Sequence, residues 1–484
     1  MNSIKKNAAL NVTRQVCSVI FPLITFPYAV RILQADNYGK FTFSSSIISY
    51  LTLIAGLGIS SYAVREGARL RGNNEKLSAF SDEVFTVNLF STAIAYIILF
   101  VFIALSKKLQ YYDTIIIILS LSVLFTTLGT DWLNTIFEDY AYLTKRYIIC
   151  RILSIILLFL LVRDSDDIIL YAFVSVFGTV LANIMNIIYI RRKWNIHPKP
   201  VFTRNIIRHI TPLLLLFANT VASTIYINCD ATILGFLKDD RSVGIYGVSA
   251  QIYTIIKGII NAAIIVIIPR VSYMIEKGSI EEINDIYRKT ISSVFLIVVP
   301  CTVGLVFLNK DIITLVAGKS YIQSSTPLAI LSAALLFATG ACFFINAVSI
   351  PFRKERYVLI LTLISAVMNI VLNLILIPKY NYNAAAFTTL LSEILMFTGG
   401  VLISRNLVSI YIKRDIILAA ISGILVLAAC VLVSLFAFNY VLRIVLSIVF
   451  SFFLYVGFLC IVKDNIVYEI IISAANQIGF RQKM

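Results

Sequence analysis

The chain has 484 residues, of which 59% are hydrophobic and 14% are charged, and its mean hydropathy is +0.91. A soluble chain of this length would need far more polar surface, so the composition indicates a polytopic membrane protein. The net charge of +16 then reflects membrane topology and contact with lipid headgroups, and we expect no nucleic-acid partner.

Long apolar runs follow one another along the chain. Most are close to or above the roughly 20 residues that a helix needs to cross a bilayer, about twice the length of a barrel strand. Apolar and polar residues do not alternate along these runs as they would in barrel strands. We therefore predict an all-α polytopic membrane protein. About fourteen transmembrane helices are predicted, at residues 8–33, 38–64, 83–106, 111–134, 140–162, 167–190, 210–236, 243–268, 290–308, 323–350, 356–377, 382–404, 415–438 and 441–462.

The connections between these helices carry an uneven share of the positive charge. When the Lys and Arg residues near the helix ends, Arg14 and Arg31 among them, are counted with the adjoining connection, the N-terminus and every second connection hold 29 of the 41 Lys and Arg residues. The other connections hold 11, and Lys257 is the remaining one. Because positive residues stay on the cytoplasmic side, both termini are predicted to be cytoplasmic. The first apolar run is too long for a signal peptide and no small-residue cleavage site follows it, so we expect an uncleaved first helix.

Three cytoplasmic connections of about twenty residues stand out. Those near Arg65–Asp82 and Arg270–Lys289 are predicted to form short amphipathic helices on the surface. The connection at Arg191–His209 contains Pro198 and Pro200, which indicates a linker.

An internal repeat supports a boundary between two lobes at this linker. Arg31-Ile32-Leu33 and Asn37-Tyr38-Gly39 in the first half match Ile233-Leu234-Gly235 and Gly244-Ile245-Tyr246-Gly247 in the second. Six helices in each half would give the halves the same membrane orientation; chance similarity among apolar segments is the competing explanation. The predicted regions are an N-terminal lobe (1–190), a cytoplasmic linker (191–209), a C-terminal lobe (210–405), and helices 13 and 14 with a cytoplasmic tail (406–484).

Ionisable residues inside the predicted helices are the strongest functional signal. Arg14 and Arg31 lie in the first apolar run, which contains no acid, and Lys257 lies about 20 Å into helix 8. A charge at this depth costs about 2.5 to 3.5 kcal/mol and usually faces a protein interior or a cavity. For Arg14, interfacial anchoring and substrate contact are equally compatible, and for Arg31 anchoring is favoured. Asp230 in helix 7, which could pair with Lys257 or Arg31, and Glu393 in helix 12 are candidate substrate, proton or ion sites.

Polar side chains also recur at helical spacing in three predicted helices. Such stripes indicate either a hydrated cavity or ordinary hydrogen bonding between helices, and for amides and hydroxyls alone the second explanation is favoured. The stripes are Asn219, Ser223, Tyr226 and Asp230 in helix 7; Tyr253, Lys257 and Asn261 in helix 8; and Thr362, Ser365, Asn369 and Asn373 in helix 11.

A charged cluster follows helix 4 at its cytoplasmic end. It contains two acids, Asp131 and Glu138, and two arginines, Arg146 and Arg151. These residues predict either a gate built from ion pairs or a fixed loop anchor.

Catalytic chemistry has little support in this sequence. The chain has no nucleotide-binding glycine loop, no histidine within a predicted span and no metal-ligand cluster, so we expect no catalytic residue, cofactor or metal. The seven cysteines are scattered through apolar runs and are expected to be packing residues. Cations with few competing acids suit a phosphate or diphosphate group. We therefore expect a transporter for an anion, driven by an ion gradient or by removal of its substrate.

Several short motifs in a fixed order resemble those of a known family. They are Phe26-Pro27-Tyr28 with Arg31-Ile32-Leu33 and Tyr38-Gly39; Gly58-Ile59, Tyr62 and Arg65-Glu66; Asp131-Trp132, Glu138 and Arg146; and Asp230, Ile233-Leu234-Gly235, Tyr246, Lys257 and Pro269-Arg270. Over about residues 1–405 the chain resembles Wzx-type polysaccharide flippases. Their superfamily includes multidrug and toxin extrusion antiporters and lipid II flippases.

The resemblance implies two six-helix lobes around a central cleft, with two additional C-terminal helices. The implied substrate is a polyprenyl-diphosphate-linked oligosaccharide, an O-antigen or related repeat unit of lipopolysaccharide biosynthesis. It would cross from the cytoplasmic to the outer leaflet of the bacterial inner membrane by alternating access, coupled to an ion gradient. Membrane lipids and the glycan polymerase machinery are the other implied partners.

The resemblance also implies roles for individual residues. By this resemblance, the cations within the helices would contact the substrate, and the two acids would couple transport to an ion gradient. The assignments are substrate binding for Arg14, Arg31, Lys257, Asn219 and Asn369; ion coupling for Asp230 and Glu393; and a cytoplasmic gate for Asp131, Glu138, Arg146 and Arg151.

Three other classes of membrane protein compete with this interpretation. A cation-coupled multidrug antiporter of the same superfamily is the main alternative, although it would favour acids in the cavity of its first lobe. A glycan polymerase or ligase would carry a large outer loop, and every outer connection here is short. A scaffolding protein would not need Lys257 and Glu393 within the membrane.

Overall fold

The computed structural model describes residues 2–278, 280–408, 413–436 and 439–462. These residues form helices and turns, with no β-strand among them. The α-helices are α1 (Asn2–Gly56), α2 (Ile59–Leu70), α3 (Asn74–Leu105), α4 (Lys107–Gln110), α5 (Asp113–Gly129), α6 (Trp132–Ile136), α7 (Tyr140–Leu161), α8 (Ile168–Trp194), α9 (Ile207–Leu237), α10 (Asp240–Ile265), α11 (Ile268–Lys277), α12 (Ile280–Phe307), α13 (Asn309–Val316), α14 (Ser325–Cys342), α15 (Glu355–Ser404), α16 (Lys413–Phe436) and α17 (Tyr440–Ile461). Arg204–Ile206 and Lys319–Ser324 are 3₁₀ turns, and Phe343–Ser349 is a π-helical segment that continues α14.

Ten of the described helices are long and apolar enough to cross a membrane, and α5 is a shorter apolar helix. Two of the ten, α1 and α15, bend at a single non-helical residue, Gln34 and Asn381 respectively. Each therefore joins two predicted spans without a loop. The predicted all-α membrane fold is confirmed, and the total of fourteen spans stays a prediction.

Two predicted spans end earlier than expected, because residues at their ends adopt the left-handed backbone conformation. The span predicted at 38–64 ends with α1 at Gly56, since Leu57 and Gly58 have φ of 43° and 72°. The span predicted at 111–134 ends with α5 at Gly129, since Thr130 has φ of 48°. A left-handed residue cannot continue a right-handed helix, so the chain turns into α2 and α6.

Two short helices, α2 and α11, overlap the regions near Arg65–Asp82 and Arg270–Lys289 that were predicted to form amphipathic helices, and each begins before its predicted region and ends well within it. In α2, Tyr62 and Ala63 are buried while Arg65 and Arg69 are exposed; in α11, Val271 is buried. In α11 the basic side chains of Arg270 and Lys277 are exposed, so both helices bury apolar side chains and expose basic ones.

The described chain divides into two compact units. The first contains residues 1–247 and 373–381, and the second contains 248–372 and 382 onward. The predicted division into lobes at 1–190 and 210–405 stays a prediction. Within the predicted linker, α8 continues to Trp194 and residues 195–203 form no helix. The predicted tail from residue 463 lies outside the described residues.

One end of the first unit is built around an apolar cluster that we call the α2 core. It joins α2 to the start of α3, to α6, to the end of α8 and to the start of α9. Its buried members are Ile59, Tyr62, Ala63, Leu77, Phe80, Val84, Val87, Trp132, Leu133, Ile136, Ile190, Ile196 and Leu213.

The two motifs of the predicted repeat touch each other within the first unit. A Cβ atom on Gly39 would collide with the carbonyl oxygen of Asp240, and one on Gly244 would collide with the carbonyl oxygen of Ala35. The Tyr112 hydroxyl donates to Asp240 at 2.5 Å beside this contact. Only glycine lets α1 and α10 approach so closely here.

Replacing Gly39 with alanine is expected to lower the thermal stability of the detergent-purified protein. The added methyl group would press on the backbone of α10, and overpacking of this kind costs about 1 to 3 kcal/mol. Gly56→Ala is the matched control, because it lies in the same helix and its added carbon would have no neighbour within 4 Å. Equal melting temperatures for the two variants would contradict the close contact.

Candidate functional site

The first unit contains a cavity of about 320 Å³ whose lining includes three arginines. Arg14 comes from α1, and Arg146 and Arg151 come from α7. Asp131 also lines the cavity, at the break between α5 and α6. The structure therefore brings a predicted substrate residue, Arg14, together with three of the four predicted gate residues.

The charges in this cavity are only partly neutralised. Nη2 of Arg146 donates to Asp131 at 2.6 Å, and the Arg146 side chain is 5% exposed. Within the described residues, Nε and Nη1 of Arg146 make no hydrogen bond. Buried donors without an acceptor cost about 1 to 3 kcal/mol each, so an anion that reached them would be stabilised.

The fourth predicted gate residue lies elsewhere. Glu138 pairs with Arg71, the residue that follows α2, at 2.9 Å, and both side chains are exposed. The guanidinium of Arg151 lies 5.4 Å from the ring of Tyr147. Asp131 and Arg146 thus pair with each other, whereas Glu138 and Arg151 have other neighbours, and the role of the four residues as a gate stays a prediction.

The remaining predicted substrate residues are scattered. Arg31 is exposed on α1, three residues before the bend at Gln34. Asn369 is 1% exposed on α15. Asn219 belongs to α9, but its side chain lies outside the described residues.

Asp230 of α9 is a buried carboxylate held by two neutral donors of the first unit. The Tyr246 hydroxyl donates to Oδ2 at 2.7 Å, and Nδ2 of Asn373 donates to Oδ1 at 2.6 Å. The carboxylate is 4% exposed. Asn373 belongs to the predicted stripe of helix 11, and Tyr246 to the repeat motif. Neither was predicted as a partner of Asp230, because 16 and 143 residues separate them from it.

In the second unit, Lys257 and Glu393 form an ion pair. Nζ of Lys257 lies 2.5 Å from Oε1 of Glu393, and the side chains are 27% and 4% exposed. The Tyr253 hydroxyl donates to the same oxygen at 2.9 Å. Tyr253 lies one helical turn before Lys257 on α10, so the spacing already placed them on one face. The structure thus joins a predicted substrate cation to a predicted coupling acid.

Apolar helices with paired charges inside them, and a cavity lined by arginines, define a multi-pass membrane protein of the transporter class. Within the described residues, no group of three or more His, Cys, Asp or Glu side chains could hold a metal ion. Residues 4–275 match the family described as polysaccharide biosynthesis protein, which is more than half of the chain. The chain belongs to this family.

Two curated relatives of this chain are named as transporters. A protein named as an O-antigen transporter in Escherichia coli (strain K12) is 25% identical over 274 residues, 56% of this chain. The chain spans 65% of the length of that relative. A second protein named as an O-antigen transporter, from Shigella dysenteriae, is 24% identical over 398 residues, which are 81% of this chain and 98% of the relative.

Two solved structures have the same fold. The lipid II flippase MurJ in an inward closed conformation superposes with a TM-score of 0.75 at 18% identity, covering 94% of this chain and 100% of MurJ. An inward-facing multidrug resistance MATE family transporter gives a TM-score of 0.59 at 12% identity, covering 80% of this chain and 94% of that transporter. Both similarities concern the fold alone.

The variant Lys257→Met is expected to destabilise the protein by about 2 kcal/mol, since it leaves the Glu393 carboxylate buried without its ammonium partner. Adding Glu393→Gln should recover most of this loss, because the buried charge is then gone. Thermal unfolding of the wild type, both single variants and the double variant measures the coupling. Losses that simply add in the double variant would contradict the ion pair.

Proposed function

We propose that this protein is a flippase for a polyprenyl-diphosphate-linked oligosaccharide, such as an O-antigen repeat unit. It moves this substrate from the cytoplasmic to the outer leaflet of the bacterial inner membrane by alternating access. Membership of the polysaccharide biosynthesis family and the names of the two curated relatives support the substrate class. The positive charge of every second connection supports cytoplasmic termini.

The cavity with Arg14, Arg146 and Arg151 is the observation that carries this proposal. A diphosphate offers several oxygens in a small volume, and guanidinium groups can donate two parallel hydrogen bonds to such a group. The two unused nitrogens of Arg146 supply donors, and the neighbouring Arg14 supplies charge. Asp131 neutralises only part of this charge, so the cavity favours an anion over a cation.

The remaining roles concern polar residues both outside this cavity and in its lining. Lys257 and Arg31 contact the diphosphate at other stages of transport, and Asn219 and Asn369 donate hydrogen bonds to the substrate. Asp230 and Glu393 couple transport to an ion gradient through a change of protonation or pairing. The Lys257–Glu393 pair supports this role, because an arriving anion would compete with the carboxylate for the ammonium. Asp131, Glu138, Arg146 and Arg151 close the cytoplasmic side, and the glycan polymerase machinery receives the product.

Purified protein in lipid vesicles should translocate a polyprenyl-diphosphate oligosaccharide, and Lys257→Ala should lower the initial rate about tenfold or more. A hydrogen bond to a charged group contributes about 1.5 to 3 kcal/mol, which sets this scale. The exposed Lys319 provides the control, since Lys319→Ala removes an equal charge far along the chain from the proposed site. Protection of the oligosaccharide from an externally added glycosidase measures the transfer.

The vesicle experiment also distinguishes a flippase from the main alternative, a multidrug antiporter. A wild-type protein that exports a cationic dye and leaves the oligosaccharide in place would be a multidrug antiporter. Equal translocation by wild type and Lys257→Ala would remove Lys257 from the substrate site while leaving the flippase activity standing.

Arg14→Gln is expected to raise the concentration of polyprenyl diphosphate needed for half-saturation by about tenfold, for the same energetic reason. Binding to protein in detergent, followed by thermal shift, measures this without a transport cycle. Arg405→Gln is the control because Arg405 is an exposed arginine that follows α15. Unchanged binding by Arg14→Gln would place the anion site elsewhere.

A further inference from the structure

A second cavity lies in the first unit, next to the cavity with the three arginines. Its volume is about 180 Å³, and side chains of α1, α7 and α8 line it. We call it the hydroxyl cavity, and we call the cavity of about 320 Å³ the arginine cavity. Ser18, Tyr147 and Arg151 line both cavities, so the two adjoin each other.

The two cavities follow one another along the same side of α8. Tyr171 and Ser175 line the hydroxyl cavity, and Thr179 and Asn183 line the arginine cavity. Because these residues are spaced four apart, they lie on one side of the helix, and they span about 18 Å of its axis. α8 ends at Trp194, on the side predicted to be cytoplasmic. In this orientation the hydroxyl cavity lies deeper in the membrane than the arginine cavity.

The lining of the hydroxyl cavity is rich in hydroxyl groups and poor in charge. Among its described residues, Arg151 alone is charged, and it lies where the two cavities meet. A lipid chain would gain no hydrogen bond from hydroxyls, so this lining points to a polar ligand without charge. The residues that carry the hydroxyls are half of the lining: Ser18, Thr25, Tyr147, Ser154, Tyr171 and Ser175.

The serine and threonine hydroxyls can still accept hydrogen bonds from a ligand. Each donates its proton to a backbone carbonyl oxygen of its own helix, which leaves lone pairs of the hydroxyl oxygen available. These donor bonds are Ser18 to Gln15 at 2.7 Å, Thr25 to Phe21 at 3.0 Å, Ser154 to Cys150 at 3.0 Å, and Ser175 to Ala172 at 2.7 Å.

The two tyrosines add hydrogen-bond donors and ring surface. The ring centroid of Tyr147 lies 6.1 Å from that of Phe21, and the Tyr171 ring packs edge-on against Phe41 at 4.6 Å. Within the part of the chain that the structure describes, neither tyrosine hydroxyl forms a hydrogen bond, so each can donate to a ligand. The negative faces of aromatic rings attract groups with a positive edge, such as the C–H groups of a sugar.

A single sugar ring matches this cavity in chemistry and in size. Each sugar hydroxyl both donates and accepts, as the lining requires, and the C–H groups form apolar faces. The volume is below the roughly 300 to 1,000 Å³ of ordinary ligand pockets, so the cavity suits one ring and not an oligosaccharide. No acidic side chain is among the described lining residues, so a sugar that carried an ammonium group would lack a counter-charge beside Arg151.

We propose that the hydroxyl cavity binds the sugar that is bonded directly to the diphosphate of the substrate, and that this sugar is uncharged. The diphosphate then lies in the arginine cavity, and the first sugar lies beyond Arg151 and Tyr147. The Arg151 guanidinium is 5.4 Å from the Tyr147 ring, so a charged and an aromatic group meet at this junction. This inference rests on the proposed function, and it adds which part of the substrate is recognised and by which side chains.

The experiment compares ligands that differ only in the first sugar. They are a polyprenyl diphosphate and the same lipid carrying one glucose, galactose or N-acetylglucosamine. Binding to the full-length protein in detergent is measured by isothermal titration calorimetry. Wild type should bind at least one of the sugar-bearing lipids about tenfold more tightly than the bare diphosphate, because several neutral hydrogen bonds are added.

Two variants remove one hydroxyl each and keep nearly the same shape. Tyr171→Phe and Thr25→Val should each lower the gain from the sugar by about threefold and leave binding of the bare diphosphate unchanged. Thr52→Val is the matched control, because Thr52 lies in the same helix, outside both linings, and makes the same kind of bond, to Ile48 at 2.8 Å. Tyr111→Phe serves in the same way for the exposed Tyr111.

The results separate this inference from the function on which it rests. Equal binding of all four lipids by wild type would overturn the sugar site and leave the flippase proposal standing. So would a variant that weakens the bare diphosphate as much as the sugar-bearing lipid, since the polyprenyl chain and the diphosphate are common to both. Failure of wild type to bind any of the lipids would overturn the proposed function, and this inference with it.

Discussion

The cost of burying charge in an apolar helical protein organises both compact units. Three buried side chains lie beside an oppositely charged partner that offsets part of this cost: Arg146 beside Asp131, Glu393 beside Lys257, and Glu83 beside Arg208. At Asp230, a hydroxyl and an amide donate hydrogen bonds to the buried carboxylate. These pairs help to fix which helices lie side by side, because each one joins two parts of the fold. The pairs at Glu393 and Glu83 join two helices, and the Arg146 pair joins α7 to the break between α5 and α6.

The helices could be predicted from the sequence to a large extent, because hydropathy alone marks segments that belong in a bilayer. The breaks between spans could be placed as well, because the predicted spans end at 33 and 377 and resume at 38 and 382, beside the observed bends at Gln34 and Asn381. What could not be predicted is that the helix resumes directly after each bend, without a loop. Pro22, Pro27 and Pro378 lie inside α1 and α15 without ending them, although proline usually interrupts a helix.

The buried charges could be predicted as individuals but not as pairs. A lysine or glutamate within an apolar run is conspicuous, and the helical spacing put Tyr253 on the same face as Lys257. Their common partner, Glu393, lies 136 residues beyond Lys257, and no local pattern connects them. The same holds for the three arginines of the first cavity, of which Arg14 is 132 or more positions from the others. Glu83 and Arg208 were overlooked for a different reason: each lies at the edge of a predicted span, where a charged side chain is ordinary.

The pairing of Lys257 with Glu393 has a consequence for discrimination among anions. The ammonium already has a carboxylate at contact distance, so a ligand gains from Lys257 only if it outcompetes that internal anion. A chloride ion or a single carboxylate offers no more charge than Glu393 and lacks its covalent tether, and so gains little. A diphosphate brings more charge and more acceptor oxygens. In the proposed role of Lys257 as a substrate contact, this internal pairing would set a threshold against singly charged anions without any steric filter.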